Sequence, residues 1–225
     1  MEAHPSGAVR RGRARRGFGR GALVLAAATL AIATLPGTAT GGAAAIGVDD
    51  DFFDPDESAY HSPAPFPWNW QDTENAHTVR QNKMLFSSGA PRTGNHQFVV
   101  RASSGTFPYY CSVHGSPGGG MRGRIRVGIR IEEIDEEHFR VRWAFSDSET
   151  GNVYDVRYRV GSGKWKNWKV DTKQRAVIFG RNDQPVAVDP ATTYRFRARS
   201  QAKASTPKQV SGWSPVRERL AALPP

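Results

Sequence analysis

The only cysteine, Cys111, stands in the run Phe107-Pro108-Tyr109-Tyr110-Cys111-Ser112-Val113-His114-Gly115, with His114 three positions beyond the thiol. A single cysteine cannot form a disulfide within its own chain. The N-terminus reads as an export leader. Arg10, Arg11, Arg13, Arg15, Arg16 and Arg20 form a basic run, Ala22 to Leu35 are apolar, and Ala43-Ala44-Ala45 offers an A-x-A cleavage site before Ile46. In the oxidising exterior such a leader implies, an unpaired thiol is a liability unless it is buried or bound. Cys111 therefore points to a metal.

Downstream of His114, Gly118-Gly119-Gly120 leads to Met121, from which a new strand is expected to run to Val127. Upstream, Trp68-Asn69-Trp70-Gln71-Asp72 precedes Asn75-Ala76-His77-Thr78-Val79. Over residues 47–128 this pattern resembles the cupredoxins, specifically the plastocyanin-like and halocyanin-like blue copper proteins. In that family one histidine lies well upstream, while a cysteine, a second histidine and a methionine share the loop between the last two strands. The resemblance thus implies one copper per chain, held by His77, Cys111, His114 and Met121. Two imidazoles, a thiolate and a long, weak thioether are the donors of a type 1 site, which serves both oxidation states of copper. Where the family often places a loop-bracing asparagine, this chain has Thr78, whose hydroxyl suits the same purpose. Gly115 and Pro117 suit a turn after the cysteine strand, and the triple glycine lets the backbone bend back toward Met121. His61 and His96 lie off the motif and read as surface or strand residues.

The implied function is one-electron transfer, with an unidentified redox protein as partner and no enzymatic activity. The alternative is copper storage or delivery, or a cell-surface interaction role without dedicated electron transfer. A multicopper oxidase is disfavoured, because six histidines are too few for the extra pairs of a trinuclear cluster. The acidic run Asp49-Asp50-Asp51, with Asp54, Asp56 and Glu57, lacks the central glycine and closing glutamate of a calcium loop. It reads as a solvated first strand or a docking patch.

Strands must position these residues. Ile125, Val127, Ile129 and Ile131 alternate with polar or small neighbours, as do Phe139, Val141, Trp143 and Phe145, then Tyr154, Val156, Tyr158 and Val160. No segment carries a helical stripe, so the mature chain is expected to be all-β, in sandwiches or barrels. Three parts are expected: a leader over 1–45, a cupredoxin Greek-key sandwich or barrel over 46–128, and a fibronectin type III-like sandwich over 129–225. The last two abut across a junction near Gly128 to Glu133, and each is expected to fold by itself. Arg15-Arg16-Gly17-Phe18 also resembles a twin-arginine signal. The apolar part of the leader, Ala22 to Leu35, is too short for a membrane span, and none is expected once the leader is removed.

The second part resembles fibronectin type III modules in its buried-type Trp143 and in Val188-Asp189-Pro190-Ala191-Thr192-Thr193-Tyr194, which is like their tyrosine corner. Gly212-Trp213-Ser214-Pro215 resembles their closing strand. Trp165 and Trp168 read as strand packing in preference to a sugar platform. The chain carries +10 overall. Residues 46–128 hold seven Lys/Arg against eight Asp/Glu, and residues 129–225 hold eighteen against twelve. The basic second half suits an acidic or cell-surface ligand rather than nucleic acid. The protein is expected to be exported, extracellular or surface-associated.

Overall fold

The computed structural model describes residues 45–203 and 209–222. The leader expected over 1–45 falls outside the described residues, apart from Ala45. Alternating patterns become strands throughout. Among the described residues there is no α-helix, only one 3-10 turn at Arg181–Asp183. None of their helices is long and apolar enough to cross a membrane.

Eight strands build the first sandwich: β1 (Ile46–Val48), β2 (Phe53–Asp54), β3 (Glu57–Tyr60), β4 (Ala64–His77), β5 (Arg80–Gln81), β6 (Arg92–Ala102), β7 (Gly105–Ser116) and β8 (Gly119–Val127). One sheet runs β2-β1-β4-β6 and the other β3-β8-β7-β5. The β1–β4 and β3–β8 pairs are parallel and the rest antiparallel. Inward residues of both sheets form one core, among them Phe66, Trp68, Trp70, Phe107, Tyr109, Cys111, Met121 and Ile125. Pro65 and Pro67 lie within β4, where proline removes a ladder donor. They are tolerated because β1 joins β4 only from Trp68 onward, leaving the proline stretch with β6 as its one neighbour.

Only Gly128 and Ile129 separate β8 from the second sandwich. This comprises β9 (Arg130–Glu133), β10 (Phe139–Arg142), β11 (Val153–Val160), β12 (Lys166–Thr172), β13 (Ala176–Phe179), β14 (Thr193–Gln201) and β15 (Arg217–Leu220). Its sheets run β13-β10-β9 and β12-β11-β14-β15, closing over a separate core of Trp143, Phe139, Tyr158, Phe179, Tyr194 and Phe196. Trp143 is fully buried and its indole N–H donates to the Gln174 carbonyl at 2.7 Å. The Tyr194 hydroxyl accepts the Asp189 N–H at 2.7 Å and donates to the Ala187 carbonyl at 3.3 Å, which makes a tyrosine corner. Trp168 packs edge-on against Trp143 and Phe179, as strand packing requires.

Both sandwiches belong to one compact unit. Buried hydroxyls stitch them together: Ser103 Oγ lies 2.7 Å from Thr150 Oγ1 and 2.6 Å from Ser200 Oγ. Thr106 and Gly212 exchange both backbone hydrogen bonds, at 3.0 and 2.9 Å.

Candidate metal centre

The inward row of β7 reads Phe107, Tyr109, Cys111, so ordinary strand alternation carries the thiol into the core. Beyond the thiol, β7 departs from the sequence expectation. The strand does not end at the cysteine but continues to Ser116, paired with β8. Tyr110 pairs with Arg122 and Gly115 pairs with Gly120. Between these pairs β7 has four residues, Cys111 to His114, whereas β8 has one, Met121. The site is thus a bulge inside a hairpin, and bulges re-aim side chains. The extra residues let Cys111 and His114 both turn inward, with Met121 alone opposite them.

Two glycines make that bulge feasible. Gly115 lies so close to β8 that a Cβ there would sit 2.6 Å from the Met121 carbonyl oxygen. Gly120 has φ +71° and would drive a Cβ into the His114 carbonyl. The Ser116-Pro117-Gly118-Gly119 tip closes the hairpin.

His77 arrives from the other sheet. Register shifts between Trp70 and Thr73, and again between Thr73 and His77, insert extra residues into β4. They bring the last residue of the strand, His77, fully into the interior. One potential ligand atom each from His77, Cys111 and His114 lies within 4.8 Å of the others, with His77 and Cys111 buried and His114 half-exposed. Cys111 Sγ is 3.8 Å from Nδ1 of His77 and 3.8 Å from Nδ1 of His114. The two Nδ1 atoms are 3.1 Å apart. Donors bonded to one transition-metal ion at about 2.0–2.3 Å stand roughly 3–4 Å from one another. Two imidazole nitrogens and a sulfur converging at that spacing fit a metal. Met121 is buried in the same core and faces this segment across the hairpin.

Neighbouring groups hold the donors. The Thr78 N–H points at Cys111 Sγ at 3.4 Å, while Thr78 Oγ1 accepts the Ser112 N–H at 2.7 Å. The hydroxyl therefore ties the end of β4 to the bulge, which is the bracing expected at that position. Asp50, between β1 and β2, is the residue that sequence reasoning missed. Its Oδ1 accepts the Asn75 N–H at 3.0 Å and lies 3.3 Å from His77 Nε2. The Asn75 N–H, with His77 adding to it, holds the Asp50 carboxyl below its usual range. An ionised Asp50 can only accept, so Nε2 of His77 carries the ring proton and Nδ1 keeps its lone pair for the site. Nothing in the run Asp49-Asp50-Asp51 marks the middle residue, and 27 positions separate it from its partner.

His61 and His96 lie apart from the cluster. His61 is exposed and contacts Arg217, and His96 packs its ring on Trp70. Glu57, from the same acidic run, pairs with Arg124 and Arg126.

No protein family matches the chain, and no curated protein does. Among solved structures it is similar to amicyanin from Paracoccus versutus, at 20% identity and TM-score 0.32, over 38% of this chain and 80% of that one. It is also similar to a chain of a cytokine receptor complex, at 16% identity and TM-score 0.33, over 73% of this chain and 94% of that one. A third similarity is to the FN1-FN3 domains of chicken CNTN1, at 11% identity and TM-score 0.32, over 80% and 68%. At these scores the functional reading rests on the site's own residues.

Proposed function

We propose that this chain is an exported type 1 copper protein that carries single electrons, with the second sandwich positioning it against an acidic or cell-surface ligand. The observation that carries this reading is the convergence of Nδ1 of His77, from one sheet, on Nδ1 of His114 and Sγ of Cys111 in the β7 bulge opposite Met121. Copper bound there would supply a one-electron couple. The protein's part is to hold the donors still. Cys111 would give the thiolate, and His77 and His114 the imidazoles. Met121 would supply the weak fourth donor. Two strand bulges, the Thr78 brace and the Asp50 carboxylate fix these donors in advance, so little has to move when the charge at the site changes. His114 is the half-exposed member of the set, which makes it the side from which a redox protein would approach. The donors lie in a packed hairpin rather than an exposed methionine- or histidine-rich patch, which favours electron transfer over delivery.

The test is colour. Cu(II) added to the mature protein is expected to give an intense blue or green thiolate-to-copper band that mild reductant bleaches, and Cys111→Ser to abolish it. Met121→Leu is expected to keep the colour and raise the reduction potential. A colourless Cu(II) complex of the wild-type protein would overturn the electron-carrier reading.

A further inference from the structure

The outer face of the β12-β11-β14-β15 sheet presents a row of arginines. On β11 the inward residues are Tyr154, Val156 and Tyr158, so Arg157 and Arg159 face out. On β14 the inward residues are Tyr194, Phe196 and Ala198, which turns Arg195, Arg197 and Arg199 outward. Register sets Arg157 directly opposite Arg197 and Arg159 directly opposite Arg195. Like charges placed opposite each other across a strand pair destabilise a sheet, so this arrangement calls for an explanation.

Two tryptophans supply part of it. The Arg197 guanidinium lies 4.3 Å from the Trp165 ring centre and 4.8 Å from that of Trp213. Arg159 stacks on Trp165 at 5.0 Å, and Arg157 and Arg199 stack on Trp213, each at 4.8 Å. The rings hold the guanidiniums in a fixed layer. They do not neutralise them.

The carboxylates on this face are at its ends. Glu218 takes Arg195 at 2.9 Å and Asp155 takes Arg199 at 2.7 Å. Among the described residues no carboxylate pairs with Arg157, Arg159 or Arg197. The side-chain hydrogen bond of Arg157 goes to the Asn167 amide oxygen, at 2.8 Å, and the Nε atoms of Arg159 and Arg197 are buried without a hydrogen-bond partner. Desolvation first, then the charges of Arg157 and Arg159, pull the Arg197 pKa down, so the layer repels itself.

We propose that this arginine–tryptophan layer is the docking surface of the second sandwich, and that its ligand is a linear polymer bearing phosphate groups. The proposal deepens the positioning role assigned above to that sandwich and is independent of the metal. Outward residues on one strand repeat at roughly 6.5–7 Å. Two adjacent strands therefore offer a track of charges, which suits a chain of anions better than one small ion. Phosphate suits the central arginines better than carboxylate. The guanidinium fork binds either group, but a carboxylate holds its lone pairs in one plane, whereas the free oxygens on tetrahedral phosphorus can meet neighbouring forks that are not coplanar. The carboxylates already on the face each serve one arginine at an end.

The experiment measures binding of inorganic polyphosphate to the full chain by quenching of tryptophan fluorescence. Saturable binding is expected, with log affinity falling against log salt at a slope of about −2, as neutralising three phosphates on a single strand would give. Arg157→Gln with Arg197→Gln is expected to weaken binding about tenfold or more and to flatten that slope. Lys164→Gln with Lys166→Gln, an equal loss of charge where the chain turns from β11 into β12, should change it little. Near-UV circular dichroism checks folding of each variant, and the single Arg159→Gln carries the comparison if the double arginine variant does not fold. Absence of saturable binding would overturn the proposal, as would equal losses in the lysine and arginine variants. So would a polyuronate binding as tightly as polyphosphate. The copper band, read in the same samples, reports separately on the metal centre.

Discussion

His77 depends on a residue far from it in sequence. Its ring is fully buried, and its Nε2 meets the Asp50 carboxylate, which the Asn75 N–H holds in place. Outer partners of this kind orient a metal-binding imidazole, and losing them costs about 10–100-fold in metal affinity. Asp50→Asn is accordingly expected to weaken copper binding within that range, measured by competition with a chelator, and to mix the two ring tautomers of His77, read by nitrogen NMR on the metal-free protein. Unchanged affinity with an unchanged tautomer would show that Asp50 is only a surface acid. The contrast with Cys111 and His114 shows what a sequence makes legible. Those two stand three positions apart, beside a glycine turn that announces a hairpin, a local pattern on which a family resemblance can be read. Asp50 reaches His77 through the pairing of β1 with β4, and its neighbours Asp49 and Asp51 look the same on paper.

Strand patterns gave the all-β architecture, because alternation is a property of each strand taken alone. The geometry that builds the site was less visible. The register shifts in β4 and the four-against-one bulge of β7 and β8 depend on how two strands count against each other. A single-strand pattern cannot record that, which is why Cys111 and His114 are expected in a loop between strands rather than in a bulge of a continuing strand. The glycines carry the trace of it. Gly120 holds φ +71° against the His114 carbonyl, whereas Gly118, at the hairpin tip, has open space around the position of a Cβ. Gly120→Ala is expected to cost about 1–3 kcal/mol, since strained left-handed backbone and a backbone collision are imposed together. It should also blur the copper band by shifting His114. Gly118→Ala should stay within about 0.5 kcal/mol of the parent. Urea denaturation of the metal-free proteins compares the two. Equal midpoints would mean that the bulge can reshape itself and that Gly120 does not define the site.

At the scale of the whole molecule, the two sandwiches have separate cores but share polar ground. Ser103 and Ser104, between β6 and β7, meet Thr150 and Ser200 of the second sandwich. Ser200 Oγ contacts Ser103 Oγ at 2.6 Å and donates to the Ser104 carbonyl at 3.0 Å. All four residues are fully buried. Separating the sandwiches would leave these groups to find other partners, and each unsatisfied buried polar group costs about 1–3 kcal/mol. The same strand that leaves this joint, β7, carries Cys111 midway along its length. A ligand that binds only the folded state stabilises whatever unfolds together with its site. Copper loading is therefore expected to slow amide hydrogen exchange in β14 as well as in β7, although β14 contributes no ligand. Ser200→Ala removes the hydroxyl on which the joint converges. It should lower stability by about 1–3 kcal/mol and confine the copper-dependent protection to the first sandwich, with the colour of the site intact. Protection limited to β6, β7 and β8 in the unmodified protein would mean that the sandwiches open independently and that the buried hydroxyls only fill the joint.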